Sequence, residues 1–216
     1  MSECYENNLS LTGYDNILPS YDYLPNPCCL PRIRGGLRSN TRFAFGSIIP
    51  YASGLPIILT TVGSGLVGTV SALGFGSSAT GLTVAGLTID LTGTVAGGLI
   101  NEAFSMPRDG VIRSISAYYS NVIALNLVGT TVNITAQLYS APPTSNIFTA
   151  IPGASVQLAP ISGVLALGGS TRGITTGLSI PVVAETRLLL VFSATTTGIP
   201  VATIITGYAS AGVSIS

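Results

Sequence analysis

The chain has 216 residues, enough for one domain with a proper core plus an appendage. Its charged residues make up 7% and its hydrophobic residues 47%, with zero net charge and no His, Lys or Trp; an ordinary soluble domain carries ~25% charged residues. The balance leaves no long-range field for a phosphate backbone, so nucleic acid is excluded as a partner, and without His or Lys there is no Ser–His, Cys–His, Schiff-base or phosphate-loop chemistry.

The first segment is unlike the rest. MSECYENNLS is acidic and polar and lacks the apolar run of a signal peptide. Residues 1–44 hold half of all charges and all three cysteines, and SYDYLPNPCCLPRIRGG reads as extended, because each Pro biases its predecessor away from helix. This segment is expected to be an arm. Within it, LSLTGYDNI spaces Leu9, Leu11, Tyr14 and Ile17 for an extended chain that adds a strand to an open sheet edge. RIRGGLRSN reads as a spacer, with Gly35 and Gly36 supplying freedom. Cys4, Cys28 and Cys29 are odd in number, so not all can pair within one chain. Intermolecular disulfides are the preferred reading. Free thiols, or a zinc site needing a fourth ligand from elsewhere, stand as alternatives.

From Phe43 the composition turns to Val, Ile, Leu, Thr, Ser and Gly, and no charge occurs between Arg42 and Asp90. That stretch exceeds the ~20 residues of a spanning helix. Its glycines, Pro50, Pro56 and many β-branched residues disfavour a helix, so no membrane partner is expected. GSGLVG (63–68) reads as a turn or bulged strand, since no Lys follows its glycines. Strands are expected at Leu55–Val62, Gly81–Leu91, Gly110–Tyr119, Thr131–Tyr139, Ser155–Leu158, Ser179–Val183, Arg187–Ser193 and Ala202–Ser214. Turns are expected at Pro107–Gly110, Pro142–Asn146, Pro152–Gly153 and Gly168–Gly169. In Thr131–Tyr139, Val132, Ile134, Ala136 and Leu138 point one way and Asn133, Thr135 and Gln137 the other. RLLLVF (187–192) is continuously apolar, as in a strand buried on both faces.

Eight or more short strands without helical periodicity predict an all-β sandwich or jelly roll over residues 45–216. Its edges and faces lack the charges that protect monomers, so copies of the chain are expected to cover them, a cyclic homo-oligomer being the economical arrangement. Carboxylates are the remaining catalytic option, but Asp90, Glu102, Asp109 and Glu185 are scattered, each near a turn or an Arg. We therefore read the protein as structural, with no catalytic residue and no cofactor. Calcium at Asp90 or Asp109 is the weighed alternative, and it lacks clustered oxygens. Glu102, Arg108, Asp109 and Arg113 are candidates for ion pairs across a subunit boundary, where such pairs set register. Tyr118 and Tyr119 read as packed strand-end aromatics, with exposed contact residues as the alternative.

Several blocks carry a family resemblance: IIPYASGLPIILTTVGSGLVGTVSALGFG (48–76), IDLTG (89–93), FSMPRDGVIRSISAYYS (104–120), ITAQLYSAP (134–142), GITTGLSIPVVAETRLLLVFSAT (173–195) and GYASAGVSIS (207–216). In this order they resemble the C-terminal domain of BclB-type Bacillus exosporium glycoproteins. The resemblance implies a tumour necrosis factor/C1q-like jelly roll assembled as a homotrimer, extracellular, on the spore surface. The chain has no Gly-X-Y repeat, so the collagen-like stalk of those proteins is replaced by the short arm. The plan resembles that of endospore appendage fibres, whose trimers stack head to tail through N-terminal connectors. On this reading the partners are other copies of the chain, with exosporium or appendage anchor and tip proteins as further ones. The alternatives are an exosporium cap trimer anchored by its arm and a C1q-like adhesin or ligand-binding head.

Overall fold

The alternating and continuous apolar runs organise into two antiparallel sheets. A computed structural model describes residues 46–63, 65–92, 101–199 and 202–216. Phe43–Ser216 forms a compact unit of its own. The arm residues 1–44 lie outside the described residues, and with them Cys4, Cys28, Cys29, Leu9, Leu11, Tyr14, Ile17, Gly35 and Gly36.

The described residues contain thirteen strands: β1 (Ser47–Ala52), β2 (Ile57–Thr60), β3 (Val70–Leu73), β4 (Ser78–Leu82), β5 (Thr88–Asp90), β6 (Phe104–Ser105), β7 (Gly110–Asn121), β8 (Leu125–Ala141), β9 (Ile147–Gln157), β10 (Ile161–Leu165), β11 (Ser170–Val182), β12 (Arg187–Gly198) and β13 (Ile204–Ile215). The five-stranded sheet runs β1-β13-β7-β11, with β2 also paired to β13. The eight-stranded sheet runs β4-β3-β12-β8-β9-β5, with β10 on β8 and β6 on β12. The result is an all-β sandwich compatible with a jelly roll. No helix among the described residues is long and apolar enough to cross a membrane.

The patterning in β8 and β12 builds the core. Val132, Ile134, Ala136 and Leu138 are fully buried, and they meet Ile49, Tyr51, Ile112, Ile115, Tyr119 and Val213 of the other sheet. Along β12 the apolar run splits by parity. Leu188, Leu190, Phe192 and Ala194 face the inter-sheet core, whereas Leu189 and Val191 join a second cluster with Val70, Leu82, Ile89, Leu91 and Phe148 on the opposite face. A strand with apolar cover on both sides needs no alternation, as the sequence of RLLLVF implies.

The structure corrects several boundaries. The expected strand Gly81–Leu91 is two strands, β4 and β5, separated by a turn in which Ala85 and Thr88 exchange backbone hydrogen bonds. The expected turn at Pro152–Gly153 lies inside β9. There the register against β8 shifts between Gln137 and Tyr139, Gly153 takes a φ of 76°, and Gln137 Nε2 donates to the Ile151 carbonyl at 2.7 Å. A proline and a glycine that could have closed a turn instead form a bulge. Pro142–Asn146 and Gly168–Gly169 do turn, closed by Ser145 N–H to the Pro142 carbonyl and Gly169 N–H to the Ala166 carbonyl. The chain turns after Val62 as well, where Gly65 N–H donates to the Val62 carbonyl at 2.8 Å.

The two long edges of the sandwich differ. On the β11 side, Thr171 and Thr175 hydroxyls donate to the carbonyls of Ala159 and Ser155 at 2.6 and 2.9 Å, and Ala159 N–H donates to the Arg172 carbonyl. These bonds tie β11 to the β9 segment and close that edge. The β1 side has no equivalent seam along Ser47–Pro50 among the described residues.

Candidate functional site

The registers of the five-stranded sheet fix which side chains share its outer face. Ala52, Ser210, Tyr118 and Arg172 form one row across β1, β13, β7 and β11. Pro50, Gly212, Ser116 and Ile174 form the next, and Ile48, Ser214, Ser114 and Thr176 a third. Their chain neighbours Ile49, Tyr51, Ile115, Ala117, Ala209 and Val213 are the ones that enter the core. The outer face therefore has a centre of serines and a glycine, flanked by the exposed apolar groups Ile48, Ile174 and Tyr118 and by Tyr208 one row further on. Arg172 is the only charge in these rows.

A water-facing antiparallel sheet ordinarily carries charges on its outer side. Small side chains here leave the backbone nearly bare, which permits another surface to approach closely. A charge-poor face rimmed by aromatics and isoleucines has the composition of an interface centre. Its chemistry is burial and hydrogen bonding. It has no nucleophile–base pair.

The four ion-pair candidates are not gathered on this face. Glu102 is half-buried and accepts the Ser77 hydroxyl at 2.5 Å beside Gly74. Asp109 accepts the Ala184 N–H at 2.7 Å, Arg108 donates to the Asp109 carbonyl at 3.2 Å, and Arg113 Nε donates to the Ser216 hydroxyl at 2.8 Å. Arg108, Asp109 and Arg113 thus cluster near the start of β7, while Glu102 stands apart against the 74–77 turn. Asp90, weighed above for calcium, is fully exposed. The Thr92 N–H donates to its carboxylate at 2.8 Å and holds its pKa below the usual carboxylate value. Among the described residues no three of His, Cys, Asp and Glu lie together.

Tyr118 and Tyr119 divide between the two faces. Tyr119 is fully buried and Tyr118 is 44% exposed on the outer one. The small residues Ser114, Ser116, Ser210 and Gly212 escaped the sequence reading. Their signal was present in GYASAGVSIS, where Tyr208, Ser210, Gly212 and Ser214 alternate with Ala209, Ala211, Val213 and Ile215. Which parity faces outward is decided by the packing of the second sheet.

No family model matches the chain. Among curated proteins it is similar to collagen-like protein 1 of Acanthamoeba polyphaga mimivirus, 36% identical over 79% of this chain and 19% of the relative. The chain thus spans about a fifth of the length of that relative. The matched share is too large to fit within the first 45 residues, so most of it falls on the sandwich. The likeness is one of non-collagenous sequence, since this chain has no Gly-X-Y repeat. A β-sandwich similar to part of a collagen-like protein fits a structural or C1q-like domain.

Proposed function

We propose that the chain is a structural subunit that works by self-assembly, three copies packing through the outer face of the five-stranded sheet. The observation that carries this reading is the near absence of charge from that face, with Arg172 alone among twelve residues in three rows. Covering the face by two neighbours in a closed ring removes it from water without leaving a free copy of the surface. The role is mechanical. Catalysis is set aside because the chain has no His or Lys and its domain no Cys.

The block resemblance to spore-surface proteins supports a finer form of the same reading. In it the trimers stack head to tail into an extracellular fibre of the spore surface, each N-terminal arm reaching the next trimer. Repeating such a contact without closure yields a fibre.

Sedimentation velocity of the full chain tests the first part, and a particle of three chains is expected. A monomer at micromolar concentration overturns it. Negative-stain images test the second part. Fibres are expected from the full chain and isolated trimers after deletion of residues 1–30. Isolated particles from the full chain would point instead to a terminal cap or a ligand-binding head, a reading favoured by the collagen-like name of a much longer relative, of which the match covers 19%.

A further inference from the structure

The edge of β1 carries a second feature that the sheet face does not explain. β1 ends the five-stranded sheet, and among the described strands it pairs with β13 alone, apart from a bridge between Ala52 and Phe75. Near its C-terminal end the other side is occupied. Ala52 N–H donates to the Gly74 carbonyl and Gly76 N–H to the Ala52 carbonyl, both at 2.9 Å. Backbone groups alternate along a strand, so the N–H and C=O of Ile48 and the C=O of Pro50 point to that same side. Along Ser47–Pro50 no strand among the described residues meets them.

Beside these groups runs a groove of about 190 Å³, walled by Ile48, Ile49, Pro50, Phe104 and Met106, with Arg108 as the only charge in its lining. Arg108 is exposed. Among the described residues its one hydrogen bond, to the Asp109 carbonyl, is a long 3.2 Å. The site thus offers two acceptors and one donor in strand register, an apolar slot, and a cation at the rim. That combination suits an extended peptide with an apolar side chain and a carboxylate. It is the geometry of strand addition, in which the backbone ladder holds the peptide and alternate pockets read its side chains.

We propose that the occupant is Leu9–Ile17 of another copy of this chain. This rests on the assembly reading above and assigns a docking site to its arm. The segment LSLTGYDNI has apolar residues to fill the slot and a single charge, Asp15, to meet Arg108. The chain between Ile17 and the start of β1 adds reach. At ~3.3 Å per residue its extended length is on the order of 100 Å. The radius of gyration of a domain this size is only about 15 Å, so the segment can leave its own sandwich and reach the next.

The test places a photo-crosslinking phenylalanine analogue at position 48 of the full chain, in a mixture of isotopically light and heavy protein. Crosslinks from position 48 to residues 9–17, in light–heavy pairs, are expected. Leu11→Asp is expected to cut their yield at least ten-fold. Crosslinks in like-isotope pairs only would mean that a chain docks its own arm, and the proposal fails. Crosslinks to other residues and none to residues 9–17, in protein that sediments as assembled, overturn the site while leaving the assembly reading intact. Protein that sediments as a monomer overturns the assembly reading itself, and the proposal with it.

Discussion

The Arg187 guanidinium lies 5.1 Å from the centre of the Phe148 ring and so joins the first residue of β12 to the second of β9. The same guanidinium donates to the Ser145 carbonyl at 2.8 Å, to Asn146 Oδ1 at 2.7 Å and to Asn101 Oδ1 at 3.0 Å. No carboxylate among the described residues takes part. The fork closes two connections at once, the Pro142–Asn146 turn and the segment leading into β6. Hydrogen bonds to a charged group contribute about 1.5–3 kcal/mol each when lost, and a cation over a ring about 0.5–2. These terms overlap, and the site is partly solvated. Arg187→Ala is expected to cost about 2–3 kcal/mol, a fall in Tm of roughly 5–10 °C for a chain of this size. Arg187→Lys keeps the charge but loses the fork, and is expected to fall between. Thermal unfolding followed by circular dichroism at matched protein concentration decides. A change under 2 °C for Arg187→Ala would remove the staple from the account.

Gly207 and Gly63 make a contrasting pair. A Cβ at Gly207 would run into the Tyr119 phenol and the Ser120 carbonyl, whereas a Cβ at Gly63 meets nothing within 4 Å. Neither glycine has a left-handed φ, so the comparison isolates space from backbone strain. Tyr119 is itself fully buried and cannot swing away. Gly207→Ala is expected to destabilise by about 1–3 kcal/mol, as overpacking of a core does. Gly63→Ala is expected to be neutral within about 0.5 kcal/mol. Chemical denaturation of both variants measures the difference, and equal midpoints would mean that the sheet relaxes around the added methyl.

The outer sheet face makes a third prediction. A Cβ at Gly212 meets only Ile48 Cγ2, at an ordinary 3.6 Å, so the protomer accommodates a side chain there. A copy packed on that face does not. Gly212→Arg is expected to leave the circular dichroism spectrum unchanged and to convert assembled protein to monomer, at least ten-fold weaker in self-association. Val164→Arg, on the exposed edge strand β10, is the control and is expected to assemble normally. An assembled Gly212→Arg protein would place the interface elsewhere.

The strands legible in the sequence are those whose pattern is self-sufficient. Thr131–Tyr139 alternates and RLLLVF is uninterrupted, and both sit at the centre of the eight-stranded sheet. Ser170–Leu178 carries no assignment in the sequence, because its Thr, Gly and Ser residues give no clear apolar alternation. It is a strand because β7 pairs with it and because its Thr171 and Thr175 hydroxyls bond carbonyls of the β9 segment. That support is tertiary and leaves no local trace. The site was half legible. Charge depletion was visible, but its location needed the registers that align Ser116 with Gly212 and Tyr118 with Ser210. The role of Arg187 is not legible in the sequence, since its partners lie more than forty residues away along the chain.

Two buried tyrosines set the alkaline limit of the fold. The hydroxyls of Tyr51 and Tyr119 are buried without a hydrogen-bond partner among the described residues, and burial raises both pKa values above that of a free phenol. In the unfolded chain each phenol titrates near pH ~10. Above that pH the unfolded state has released protons that the folded state still holds, so stability falls as pH rises. The contribution is complete below pH ~10 and disappears as pH climbs toward the raised folded values. Each tyrosine removes up to about 1.4 kcal/mol per pH unit, the two together about 2.7. Burial raises the Tyr139 pKa as well, so Tyr51→Phe is expected to lower the slope above pH 10 by up to about 1.4 kcal/mol per pH unit rather than to abolish it. At pH 7 the same variant is expected to be as stable as the parent or more so by up to ~1 kcal/mol, since it deletes an unpaired buried hydroxyl. Denaturant unfolding at pH 7, 10 and 11 measures both effects. A loss above 1 kcal/mol at pH 7 would show that the Tyr51 hydroxyl has a partner in the folded protein.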